Sequence, residues 1–123
     1  MLPKFSQESY LNFLVVLTKL QGQVGANDVN LAKLSENLQE LQGIFQEQIL
    51  GSTLEGLDSS LTSVFQSTQT EIQRNLRLLA TDLLFLQSAR QQKTKEQRLG
   101  VMCDRIEQLI SYSQIILERL GEI

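Results

Sequence analysis

The stretch Ile72-Gln73-Arg74-Asn75-Leu76-Arg77-Leu78-Leu79-Ala80-Thr81-Asp82-Leu83-Leu84-Phe85-Leu86 decides the fold class of this chain. Ile72, Leu76, Leu79, Leu83 and Leu86 recur at steps of four and three, which stacks them on one side of an α-helix. Phe65 extends the stripe upstream, and nothing breaks it between about residues 58 and 91. A second apolar row, Leu78, Phe85 and Ala89, runs beside the first, and Leu84 broadens it further. Such a wide apolar arc predicts a helix contacted from more than one side.

Three more stripes flank this one. Tyr10, Phe13, Leu17, Leu20 and Val24 form the first, with Pro3 and Ser6 suited to its start. Gly22, Gly25, Asn27 and Asp28 interrupt it: glycine supplies a positive φ after a helix, and Asn or Asp caps the next. Leu31, Leu34, Leu38, Leu41, Phe45 and Ile49 form the second stripe. It keeps heptad register with the first, so one continuous helix is the alternative. Two glycines within four residues, each costing about 1 kcal/mol relative to Ala, favour two helices. Gly51-Ser52-Thr53 and Gly56 predict the next loop, with Asp58 or Ser59 as cap. Gln91-Gln92-Lys93 reads as the last turn of the third helix, and Thr94 with Gln97 as a capping box for the fourth. The fourth stripe is Met102, Ile106, Leu109, Ile116 and Leu120, with Ser113 as its one polar step.

Four stripes on short loops predict an all-α, antiparallel up-down four-helix bundle in a single domain over 1–123, with a long third helix. That helix would span about 50 Å against about 30 Å for the first. Either it overhangs the bundle, or a second copy in a homodimer covers the excess.

Composition agrees and excludes much else. Leu (23) and Gln (16) dominate while Trp is absent and Pro occurs once, which favours helix over sheet. His is also absent, removing the commonest general base and metal ligand. Cys103 is the only cysteine; with no His to activate it, it reads as a core filler rather than a nucleophile. No phosphate loop and no Glu-x-x-His di-metal pattern is visible, so neither an enzyme nor a cofactor is expected. One cysteine forms no intrachain disulfide and needs no oxidising compartment. Met1-Leu2-Pro3-Lys4 opens no signal peptide, and Leu11–Leu17 is too short for a membrane span. A cytoplasmic protein without stable membrane insertion is the expectation.

A net charge of −3 argues against nucleic acid as partner. The distribution is uneven, because Arg74, Arg77, Arg90, Lys93, Lys95, Arg98 and Arg105 face only Asp82, Glu96 and Asp104 between residues 74 and 105. Seven against three gives +4 there and −7 elsewhere. Two readings stay open: a solvated helical face with cations at a helix C-terminus, where the dipole welcomes them, or a patch that seeks an acidic protein.

The run Gln69-Thr70-Glu71-Ile72, then Leu76-Arg77-Leu78-Leu79, Asp82, Phe85-Leu86-Gln87 and Ala89-Arg90-Gln91 resembles the cyanobacterial heterocyst-frequency control protein PatD family. Thr94, Arg98, Arg105, Leu109 and Tyr112 continue the likeness. It covers roughly the second half of the chain; the first 50 residues share only helical character. The resemblance implies a non-enzymatic regulator that binds the tubulin-like division protein FtsZ, promotes its assembly and influences heterocyst differentiation. It carries no catalytic constellation. The candidate partner-binding residues are Arg74, Arg77, Asp82, Arg90, Lys93 and Arg98. The alternative is a helical adaptor or structural coiled-coil protein with a different partner.

Overall fold

The computed structural model describes residues 7–50 and 58–121, and these form four helices. Helix α1 is Gln7–Val24, α2 is Leu31–Ile44, α3 is Ser59–Ser88 and α4 is Gln92–Gly121. Helix α1 packs on α2 and α4, and α3 packs on α4 and, over a much shorter contact, on α2. Among the described residues the diagonal pairs make no close backbone approach, which is the ring of an up-down bundle. All five residues of the first stripe are buried, as are Leu34, Leu38, Leu41, Phe45 and Ile49 of the second. Phe65, Ile72, Leu76, Leu79, Leu83 and Leu86 meet Met102, Ile106, Leu109 and Ile116 in the same core. Ser113, the polar step of the fourth stripe, is buried with its hydroxyl donating to Leu109 O at 2.8 Å.

The boundary between α1 and α2 is real, but its devices differ from those expected. Helix α1 runs through Gly22, and Gly25 N–H closes its last turn onto Gln21 O (3.2 Å) without a left-handed φ. Asn30, rather than Asn27 or Asp28, caps α2 by accepting from Lys33 N–H at 3.1 Å. The expected start at Pro3 and Ser6 and the loop glycines Gly51 and Gly56 lie outside the described residues. Asp58 does precede α3, yet its carboxylate accepts from the Ser60 hydroxyl (3.1 Å) rather than from a backbone amide.

Helix α2 continues through a π-helical turn, Phe45–Ile49, closed by Leu50 N–H onto Phe45 O at 2.8 Å. Leu41, Phe45 and Ile49 are four apart, and in a pure α-helix each such step drifts about 40° off the stripe. The wider i→i+5 turn cancels that drift and returns Ile49 beneath the core. Apolar spacing alone did not disclose it.

The third helix is long, but not alone in being long: α3 and α4 each have 30 residues, against 18 in α1. At 1.5 Å per residue each is about 45 Å long, and the two pack against each other as a hairpin. Their junction departs from expectation. Helix α3 stops at Ser88, Ala89 is extended (φ −70°, ψ 134°), and α4 starts at Gln92. Thr94 therefore sits exposed inside α4 and caps nothing, and Gln92 and Lys93 belong to α4. The first turn closes instead with Lys95 N–H on Gln91 O at 3.1 Å. Once Leu99 and Met102 pack on the core, helix-compatible residues upstream let α4 extend to the reversal point.

Candidate functional site

The candidate residues do not form one patch. Asp82 is buried, with a side chain only 3% exposed, and it points from α3 into the seam with α4. Its Oδ1 accepts from Arg98 Nη1 at 3.1 Å, and its Oδ2 accepts from Arg105 Nε. Arg98 and Arg105 are seven residues apart, two turns on one face of α4, so one carboxylate between them engages both. Arg98 also lies over the Phe85 ring, 4.9 Å from its centroid, in cation–π geometry. Asp82 thus ties α3 to α4 and offers a partner no free oxygen. Arg98 is one-third exposed and lies beside Phe85.

The other four candidates are exposed. Arg74 stands 3.7 Å from Glu71 on the same helix, a surface pair of little energetic weight. Arg77 lies at the rim of a groove of about 360 Å³ between α2 and α3, with Phe45, Gln42, Gln73 and Leu76. Arg90 occupies the α3–α4 turn and Lys93 the first turn of α4. Arg77, Arg90 and Lys93 have no ion pair among the described residues. Thirteen residues separate Arg77 from Arg90, about 20 Å along a helix. The cations accordingly form two groups, one midway along α3 and one at its end.

Helix ends change the electrostatic reading of the second group. Because α3 ends at Ser88, Lys93 and Lys95 do not sit at its C-terminus. They sit in the first turn of α4, which contains no acidic residue, beside the positive end of that helix dipole. Cations there are opposed rather than welcomed. Arg90, Lys93 and Lys95 thus gather three cations beside the free amides that begin α4. A groove of about 390 Å³ opens beside them, lined by Asp28, Val29, Leu86, Lys95, Glu96 and Leu99.

The broad apolar arc of α3 is not covered by the rest of the chain. Leu84 is 65% exposed and Phe85 53% exposed, on adjacent outward positions. Leu78 and Ala89 are half-buried. Sequence reasoning singled out Asp82 and Arg98 separately but missed Arg105 as their third member. The seven-residue spacing of the two arginines opposite a lone aspartate was the available signal.

Burial pushes the Tyr10 phenol well above its ordinary value, and the neighbouring Gln69 side chain pulls it part of the way back. Cys103 is held above its ordinary value by burial first, then by the negative charges of Glu107 and Asp104. Its Sγ also donates weakly to Glu107 Oε1 at 3.8 Å. Among the described residues no helix is long and apolar enough to cross a membrane, and no three His, Cys, Asp or Glu side chains converge as metal ligands. No family model, curated protein or solved structure matches the chain.

Proposed function

We propose that this chain is a non-enzymatic regulatory protein of the kind the PatD resemblance implies. In this reading it binds the tubulin-like division protein FtsZ in the cytoplasm and modulates its assembly, linking cell division to heterocyst differentiation. The observation that carries a binding role is the placement of Lys93 and Lys95 in the first turn of α4, with Arg90 in the turn just before it. Each exposed cation in a first turn works against the dipole by about 0.3–1 kcal/mol. A first turn selected only for stability would hold Asp or Glu. The positive end is instead suited to steering an acidic protein surface, setting on-rate and specificity while apolar contacts supply affinity.

Co-sedimentation with polymerised FtsZ tests both halves of the reading. The wild-type chain is expected to pellet with polymers, less so as salt shortens the screening length. Arg90→Glu combined with Lys93→Glu should weaken binding at least tenfold while leaving the helical circular dichroism unchanged. Failure of the wild type to pellet would remove FtsZ as partner. Undiminished pelleting of the folded double variant would remove the basic end as the contact.

A further inference from the structure

Helix α3 carries a strip that this chain leaves uncovered, and its chemistry specifies what covers it. At 100° per residue, Leu84, Arg77, Ser88, Thr81, Arg74 and Phe85 fall within an arc of about 100° facing away from the core. All six are exposed. From Arg74 to Ser88 the strip is about 21 Å long, matching a partner helix of about four turns.

Three properties suit it to being buried. First, its two large apolar side chains adjoin: Leu84 and Phe85 stand out from the helix, and Arg98, anchored by Asp82, braces the Phe85 ring. Second, its hydroxyls are already engaged. Thr81 donates to Arg77 O at 3.1 Å and Ser88 to Leu84 O at 3.1 Å, and just upstream Thr70 donates to Gln66 O at 3.0 Å. A partner that displaces water there strands no hydroxyl proton. Third, a shallow groove of about 220 Å³ runs beside Leu84 along the lightly packed α2–α3 seam, with Leu38, Gln42 and Leu83 in its wall.

Charge selects the occupant. Arg74 and Arg77 lie at one end of the strip, Arg90 and Lys93 beyond the other. A second copy docked strip to strip in antiparallel fashion would bring Arg74 to the other copy's Ser88–Arg90 end. Docked in parallel, it would set Arg77 against Arg77. Either arrangement opposes cations to cations. We therefore infer that the outward strip of α3 docks an amphipathic helix from another protein, with apolar residues seated on Leu84 and Phe85 and acidic residues at both ends. This helix-on-groove mode rests on the protein-binding reading above but not on the identity of that partner.

The test uses the full chain and two synthetic helix-forming peptides, each with Leu residues three and four apart, one flanked at both ends by Glu and the other by Lys. Titration followed by amide chemical shifts should show saturable binding of the Glu-flanked peptide, with perturbations concentrated on residues 74–93. The Lys-flanked peptide should bind at least tenfold more weakly. Leu84→Ser with Phe85→Ser, or Leu84→Arg alone should one fail to fold, should reduce affinity about tenfold or more, as expected for central anchors. Arg74→Glu with Arg77→Glu should do likewise. Perturbations lying elsewhere, or no saturation by about 1 mM peptide, would overturn the inference. So would a light-scattering dimer abolished by the Leu84/Phe85 variant, since it would make a second copy the occupant. FtsZ pelleting separates the two proposals. Peptide binding without FtsZ binding refutes only the named partner, and FtsZ binding indifferent to Leu84 and Phe85 refutes only the strip.

Discussion

Replacing Asp82 by Ala removes the carboxylate that joins α3 to two cations on α4, and its cost follows from how much water each member sees. Deleting one partner of a fully buried pair costs about 3–5 kcal/mol, because the orphaned charge stays behind. Asp82 meets the buried condition at 3% exposure, but Arg98 and Arg105 are 33% and 26% exposed. Both guanidiniums can recover part of their hydration by tilting outward, and Arg98 keeps the Phe85 ring beneath it. The expected loss is therefore about 2–3 kcal/mol, below the range for a sealed pair. Urea unfolding followed by far-ultraviolet circular dichroism measures it, with an unchanged m confirming that stability and not compactness has moved. A second variant isolates the cause: Asp82→Leu with Arg98→Met and Arg105→Met removes every charge together and should lie within about 1 kcal/mol of wild type. A loss below about 0.5 kcal/mol for Asp82→Ala would refute the reasoning, as would a triple variant as unstable as the single one.

Tyr10 makes stability fall at high pH. The unfolded phenol ionises at its ordinary 10.0, while the buried one holds its proton to higher pH. Above about pH 10 the unfolded chain binds fewer protons than the folded one, so urea midpoints should decline with rising pH, and Tyr10→Phe should flatten the decline; identical slopes would contradict this. Cys103 should react with iodoacetamide more slowly at neutral pH than a free cysteine, because burial and then Glu107 and Asp104 disfavour its thiolate. Glu107→Gln removes one of those charges and should quicken the reaction; mass-spectrometric time courses would show an unchanged rate if the carboxylate were irrelevant.

The sequence by itself determined which four stretches are helical and which face each buries, because a 3.6-residue period written in Leu and Phe is a local signal. Every buried member of the third stripe, from Phe65 to Leu86, was legible in that way. Local signals also separated α1 from α2, although the cap proved to be Asn30, since several Asn and Asp in a loop compete and packing selects among them. What only the tertiary structure decided is the use of the charged residues. Asp82 meets Arg98 and Arg105 at separations of 16 and 23 residues, and no periodicity within one helix encodes a contact across two. The end of α3 at Ser88 likewise moved Lys93 from a helix C-terminus to a helix N-terminus, reversing the sign of its interaction with the dipole. The exposed pair Leu84 and Phe85 teaches the same lesson: spacing shows that an arc is apolar, but only the neighbours in space show which part of it stays uncovered.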